Sequence, residues 1–232
     1  MERLDKIISS QTNYSRKDVK DLVKKKSVLV NGEVVLKSDI KIDSSIDKIV
    51  ILGKELVFKK YIYLMLNKPK GYVSASFDKN DKTVLELVPD KYKHRNLFPA
   101  GRLDKDTTGL MIITDDGEFA HNILSPIKHI SKTYNVTIDI PMNKDMVIGF
   151  KNGVNLSDGE CKSASLEITG KHTGIVILTE GRYHQIKRMF GCFGAKVTEL
   201  ERIKMGNFSL PNDLALGEVR EFTLEELDSV RS

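Results

Sequence analysis

Apolar residues recur along this chain with two spacings, about 3.6 residues and about 2, and each spacing marks a different kind of element. Behind Ser15-Arg16-Lys17-Asp18, the residues Val19, Leu22 and Val23 follow the helical spacing. Ser15 reads as the N-cap and Asp18 as the acid of a capping box. Turning about 100° per residue puts Lys17, Lys20 and Lys24 within about 60° of one another, opposite the apolar stripe. Two β-prone runs follow, Val28-Leu29-Val30 and Val34-Val35-Leu36, on either side of Asn31-Gly32. Asn-Gly between apolar runs is a strong hairpin signal.

A new apolar run starts at Tyr61 and stops at Asn67-Lys68-Pro69-Lys70-Gly71. Strands are expected over 61–66, 109–114, 132–140, 163–169, 173–179 and 196–203. A helix is expected over 183–193, where Ile186, Met189, Phe190 and Phe193 hold i, i+3, i+4, i+7 spacing and Gly194 stops it. Shorter helices are expected over 118–124 and from Thr223, where Glu226 completes a second capping box. Strands outnumber helices and no βαβ alternation appears. That favours an α+β domain whose mixed, mainly antiparallel sheet is flanked by helices. The composition shift at Lys59-Lys60 places the junction near 56–61, dividing the chain into domains 1–58 and 59–232. There is no low-complexity linker and no internal repeat.

Charge sharpens that division. Residues 1–60 hold 14 Lys+Arg against 9 Asp+Glu, a net of +5, and the remainder holds 23 of each. Such asymmetry suits a small module that meets a polyanion, joined to a larger one with another task. Overall composition is ordinary for a globular protein, with 40% hydrophobic and 30% charged residues. No run approaches the roughly 20 apolar residues that span a bilayer, and the charged start lacks the apolar core of a signal peptide. A cytoplasmic protein without a membrane partner is expected. Cys161 and Cys192 lie in no metal-binding spacing and read as buried small hydrophobes. The five histidines are scattered, and no phosphate-cradling loop is present. Neither cofactor nor metal is expected.

The segment Gly101-Arg102-Leu103-Asp104-Lys105-Asp106-Thr107-Thr108-Gly109-Leu110 is a polar, turn-forming loop that runs into a strand. Loops anchored on a rigid sheet commonly hold active-site groups. On composition alone, a solvated loop with two acids and two bases is the simpler account, and both remain open.

Gly101-Arg102-Leu103-Asp104 followed by Thr108-Gly109-Leu110 resembles the catalytic motif of the RNA pseudouridine synthases, in their RsuA branch. Lys132-Thr133-Tyr134 is similar to that family's Lys-x-Tyr block. Glu180-Gly181-Arg182-Tyr183-His184-Gln185-Ile186-Lys187-Arg188-Met189-Phe190 is similar to its third block, and Leu64-x-Leu66-Asn67-Lys68-Pro69-x-Gly71 to its opening strand. Over residues 2–50, Arg3-Leu4-Asp5-Lys6, Ser15-Arg16 and Val28-x-Val30-Asn31-Gly32 resemble the small αL RNA-binding domain named after ribosomal protein S-four. The resemblance covers nearly the whole chain.

It implies an enzyme that turns uridine into pseudouridine. The N1–C1′ bond opens, the base turns and C5 rejoins C1′, with no atoms gained or lost. Asp104 would be the essential carboxylate, needed in its charged form. It could add to the ring, attack C1′ or remove a sugar proton. A neighbouring cation would stabilise that charge. Lys187 falls where the wider superfamily has arginine and is the expected partner, with Arg188 as the competing one. Tyr134 would stack on the uracil and handle the C5 proton. Reaching the bond requires flipping the nucleotide out, and Arg102 would fill the gap or hold a phosphate. Arg182, Arg188 and, in the small module, Arg3, Arg16, Lys17, Lys20 and Lys24 would meet the RNA.

The third block is closer to the branch acting on small-subunit 16S ribosomal RNA. The expected partner is therefore ribosomal RNA, met as naked RNA or in a small-subunit assembly intermediate, and a monomer is the default. Three rivals stay open. One is a large-subunit enzyme of the same family. The second is an RNA-binding assembly factor without catalysis. The third is a glycosidase-like hydrolase using Asp104 with Asp106, which would need facing carboxylates roughly 5–9.5 Å apart.

Overall fold

A computed structural model describes residues 1–125 and 128–231. The Cα framework divides into two compact units, one of Met1–Ile62 with Val88–Leu97 and the other of Tyr63–Leu87 with Phe98–Ser232. The division differs from the expected 1–58 and 59–232 in two segments, because residues 59–62 and 88–97 cluster with the first unit. Arg95 is the physical reason: its guanidinium donates to the carbonyls of Ser10 at 3.1 Å, Lys59 at 3.1 Å and Lys60 at 2.8 Å.

In the first unit, α1 (Leu4–Gln11) and α2 (Arg16–Lys24) pack over a small antiparallel sheet of β1 (Val28–Val30), β2 (Glu33–Val34), β3 (Ile49–Ile51) and β4 (Lys54–Glu55). Helix α2 starts as its sequence indicates. Ser15 Oγ accepts from Asp18 N at 3.2 Å, and Asp18 Oδ2 accepts from Ser15 N at 2.8 Å. Val19 and Val23 are buried, against Leu4, Ile7 and Ile8 of α1, while Lys17, Lys20 and Lys24 stand in solvent. Asn31 and Gly32 take φ of 53° and 86°, the left-handed pair that a tight hairpin turn requires. The second hairpin strand is shorter than expected. The paired residues end at Val34, with one further bond from Val35 N to Val28 O at 3.0 Å; the Val35 side chain turns into the core and Leu36 is left exposed.

In the second unit the strands are β5 (Tyr63–Lys68), β6 (Phe98–Ala100), β7 (Thr108–Thr114), β8 (Lys132–Ile138), β9 (Asn155–Leu156), β10 (Gly159–Glu160), β11 (Ser165–Ile168), β12 (Thr173–Leu178), β13 (Val197–Met205), β14 (Phe208–Ser209) and β15 (Val219–Glu221). The main sheet runs β11-β12-β8-β13-β7-β5-β15, with β6 beside β7 and β14 beside β13. Among these pairs only β7 with β13 is parallel, so the sheet is mixed and mainly antiparallel. Gly109 lets those two strands meet. At its φ of +98° a Cβ would stand 2.3 Å from the carbonyl oxygen of Arg202, too close for any side chain.

Helices α3 (Gly117–Leu124) and α6 (Leu224–Arg231) bury Phe119, Ile123, Leu227 and Val230 in the core built on Met65, Leu110 and Ile112. Helix α4 (Lys144–Asn152) sets Phe150 4.8 Å from Phe190 of α5 (Gln185–Gly191). Helix α5 is shorter than the expected 183–193. Its entry residue His184 sits at φ 47°, ψ 35°, outside the helical region, and Gly194 at φ 72° closes the turn beyond its end. Cys161 is buried as expected, whereas Cys192 faces solvent just past α5.

Candidate active site

The loop 101–107 joins β6 to β7, so two paired strands hold its ends. Three further anchors fix its middle. Ser74 Oγ donates to Leu103 O at 2.7 Å and accepts from Leu103 N at 2.9 Å. Gly71 N donates to Lys105 O at 2.8 Å. Lys68, fully buried at the end of β5, donates its ammonium to the main-chain oxygens of Thr107 at 2.8 Å, Asp104 at 3.0 Å, Pro69 at 3.2 Å and Lys105 at 3.4 Å. Burial pushes the Lys68 pKa down to about 8, against the pull of the Asp106 and Asp104 charges.

So held, the loop offers the Asp104 carboxylate to a cavity of about 400 Å³ lined by residues of the second unit. Lys187, on the first turns of α5, lies 3.0 Å from Asp104 Oδ2 and 2.5 Å from Asp106 Oδ1. The two acids are thus bridged by one ammonium, not set facing across a gap. Burial opposes the charges on Lys187 and Asp106, but the hydrogen bonds between them and to Asp104 prevail. The Lys187 pKa ends above, and that of Asp106 below, its ordinary value. His184 brings Nε2 to 3.5 Å from Asp104 Oδ1, and its ring stacks on Tyr183 at 3.9 Å. A left-handed non-glycine residue costs of order 1–3 kcal/mol and persists where its surroundings hold it. Here Gln185 supplies the hold, accepting from Arg182 N at 3.0 Å and donating to Glu180 at 2.6 Å.

Tyr134 lines the same cavity from β8, and Arg102 lines it from the loop. Arg182 also lines it, but its guanidinium is bound to the β9–β10 hairpin, donating to Gly159 O at 2.9 Å and Glu160 O at 3.1 Å. Arg188 turns the same way, to Asp158 at 3.3 Å and Ser157 at 3.2 Å. Its hydrogen bond holds the Asp158 pKa down to about 2. Of the two rival cations it is therefore Lys187 that meets Asp104. Arg3 makes a bidentate pair with Asp5 at 2.7 and 3.0 Å, and Lys24 lies 3.6 Å from Asp21; Arg16, Lys17 and Lys20 are exposed on α2.

Sequence reasoning did not single out Lys68, His184 or Arg202 as site residues, nor assign Lys132 a role of its own. Lys132 and Arg202 form part of the cavity floor and are 7% and 1% exposed. A lysine closing an apolar strand immediately before Pro69 was the available signal for Lys68. The buried arginine of β13 had none, since alternation alone does not tell which face of an inner strand holds water.

A family model described as RNA pseudouridylate synthase matches residues 62–191, and one described as S4 domain matches residues 2–45. The chain belongs to the RNA pseudouridine synthase family and carries an N-terminal S4 domain. It is 40% identical over 231 residues to the ribosomal small subunit pseudouridine synthase A of Escherichia coli (strain K12), covering 98% of this chain and 99% of that one. The Yersinia pestis protein of the same name is 40% identical over 233 residues, covering 98% and 97%. The uncharacterized RNA pseudouridine synthase YtzG of Bacillus subtilis (strain 168) is 38% identical over 230 residues, covering 97% and 96%. A crystal structure of a pseudouridylate synthase superposes with a TM-score of 0.70 at 35% identity, covering 99% of this chain and 100% of that one.

Proposed function

We propose that this RNA pseudouridine synthase isomerises one uridine of small-subunit 16S ribosomal RNA, with Asp104 as its essential carboxylate. The observation that carries the reading is the Asp104–Lys187 pair, 3.0 Å apart at a cavity that Tyr134 also lines. The relatives named for the small ribosomal subunit, at 40% identity over nearly the full length, support the choice of RNA.

In this scheme the exposed lysines of α2 and the bidentate-paired Arg3 meet the RNA backbone, and residues 59–232 carry the chemistry. The target nucleotide flips into the cavity at a cost of a few kcal/mol, with Arg102 against the vacated stack or a flanking phosphate. Tyr134 packs on the uracil. The N1–C1′ bond breaks, with its electron pair remaining on the base. The base turns, C5 bonds to C1′, the C5 hydrogen leaves as a proton by way of Tyr134, and N1 gains one. Lys187 holds Asp104 in place and balances its charge. No oxidant, reductant or second substrate is needed. The protein works in the cytoplasm as a monomer. No described helix is long and apolar enough to cross a membrane.

Two experiments test this. D104N is expected to bind ribosomal RNA as the wild type does and to form no pseudouridine; an active D104N removes the carboxylate from the mechanism. Mapping pseudouridines in ribosomal RNA from cells with and without the protein is expected to show one site lost from 16S RNA. A loss confined to large-subunit RNA would overturn the substrate and leave the enzyme class standing.

A further inference from the structure

Below the reacting groups, the cavity floor carries two buried cations without a carboxylate. Lys132 and Tyr134 point to the same face of β8, being two residues apart, and Arg202 of β13 is the direct cross-strand partner of Tyr134. Leu178 of β12, opposite Lys132, and Leu200 of β13 complete an apolar surround. Among the described residues neither cation has an ion-pair partner. Each makes one bond to a main-chain carbonyl: Arg202 Nε donates to Leu110 O at 2.7 Å and Lys132 Nζ to Ile130 O at 3.3 Å. Arg202 Nη2 is buried and without a hydrogen-bond partner.

A neutral donor would serve both carbonyls equally well. Burying a charge without a counter-ion is unfavourable, and two adjacent like charges are more so. The strain is visible at Lys132, where burial first and the Arg202 charge second bring the pKa to about 8. Such a pair is explained if the negative charge it lacks arrives during the reaction.

Resting on the pseudouridine synthase reading, we infer that Lys132, with Arg202 beside it, stabilises the negative charge that develops on the uracil ring while the base is detached. The charge arises whichever way Asp104 acts. If Asp104 attacks C1′, the N1–C1′ pair leaves on the base. If it removes a sugar proton, the same pair leaves as the sugar double bond forms. If it adds to the ring at C6, the electrons displaced by the new bond move onto C5 and O4. In each case the ring is anionic while the base is detached. C5 spends that pair in its bond to C1′ as Asp104 leaves C1′ or returns the sugar proton. The C5 proton then leaves and N1 gains one, and in the third version the C6–O bond to Asp104 breaks as the C5–C6 double bond re-forms. Fixed donors and dipoles aimed at charge present only in the transition state accelerate the step without tightening ground-state binding. Lys132 and Arg202 are positioning residues in this sense, acting on the base through the field beneath Tyr134.

The test uses full-length protein and ribosomal RNA purified from cells lacking it, with single-turnover rates at saturating enzyme and RNA Kd measured separately. Wild-type pseudouridine formation is established first, and its absence would undo the reading above and not this inference. K132Q is expected to lower the saturating rate by about 10²–10³-fold, with Kd unchanged. K132R, which keeps the charge, is expected to recover most of the rate. A K132Q enzyme with wild-type rate overturns the inference. So does one that loses affinity but not rate, which would make Lys132 a phosphate seat, or a K132R no faster than K132Q. Thermal melting checks folding, and K132M is read by the same criteria if K132Q does not fold.

Discussion

The ammonium of Lys68 donates at 3.0 Å to the main-chain oxygen of Asp104, although the two residues lie 36 positions apart in the chain. The carboxylate that faces the cavity and the carbonyl that faces the core belong to one residue, so fixing the second aims the first. A lysine has three donors, and here the strand β5 spends them on the loop's inner carbonyls. The aim of Asp104 therefore depends on the register of β5 against β7 as well as on the loop itself.

Replacing Lys68 by Met removes a fully buried donor and leaves the Thr107 carbonyl unpaired, while the Asp104 carbonyl keeps only Thr107 N at 3.1 Å. A buried acceptor stripped of its partner costs about 1–3 kcal/mol. K68M is expected to melt earlier than the wild type and to lose pseudouridine formation by more than its unfolded fraction explains. Rates measured well below the melting transition separate the two effects. Wild-type turnover by a fully folded K68M would show that the loop holds its shape without the clamp.

Lys187 serves two acids, and their separate contributions are measurable. K187M leaves Asp104 without its cation at 3.0 Å and is expected to lower the saturating rate by about 10²-fold or more, in the range seen when a preorganised electrostatic partner is removed. K187R keeps the charge and gains a fork that can take both oxygens of one carboxylate, so it is expected to retain most activity. D106N removes only the other partner and is expected to fall well short of the K187M loss. Equal losses in K187M and D106N would mean that the three groups work as one unit.

Much of this was legible beforehand, and what was hidden was hidden for identifiable reasons. The inner strands and α5 announced themselves because Ile186, Met189 and Phe190 are all buried at the spacing that betrays them. The capping boxes at Ser15 and Thr223 are local hydrogen-bond devices and could be read from four residues each. Helix α1 escaped notice because Arg3, at its N-cap, makes no side-chain cap. Helix α4 buries only Met146 and Phe150, too thin a stripe to stand out. The Lys187–Asp104 pairing could be proposed from a motif, but that Lys187 also reaches Asp106 depends on where the loop folds back. Lys68, Lys132 and Arg202 look in sequence like solvated strand charges. Their burial is a product of sheet order, which brings β13 between β8 and β7.

The C-terminal helix gives a pH dependence of known sign. Glu226 takes both Arg220 Nη atoms at 2.7 and 2.9 Å, accepts from Thr223 N at 2.9 Å, and donates its own N–H to Thr223 Oγ1 at 3.2 Å. The Arg220 hydrogen bond, opposed by burial and helped by Thr223, holds its carboxyl below the ordinary 4.5. A carboxyl depressed in the folded state stabilises fully above its unfolded pKa, and the stabilisation drains away as pH falls through the folded value. E226Q is expected to cost about 1 kcal/mol at neutral pH through the lost cap and pair. It is also expected to show a smaller drop in melting temperature than the wild type between neutral pH and pH 3. Parallel melting curves for the two proteins across that interval would contradict the assignment.

The lysine ridge of α2 can be tested without knowing the target uridine. Each phosphate neutralised by a lysine releases counter-ions, so the plot of log K against log salt steepens by about 0.7–0.9 per contact. Lys17, Lys20 and Lys24 lie on one exposed face, and the side chain of Lys24 is 67% exposed despite its nearby Asp21. If all three meet the backbone, the triple Lys→Gln variant is expected to flatten the slope by about 2–3 and to weaken binding at low salt far more than at high salt. A saturating rate equal to that of the wild type would go with it, because the ridge grips RNA and takes no part in bond breaking. A variant with an unchanged slope would make these lysines a solvated face, and the net charge of the first 60 residues would need another use.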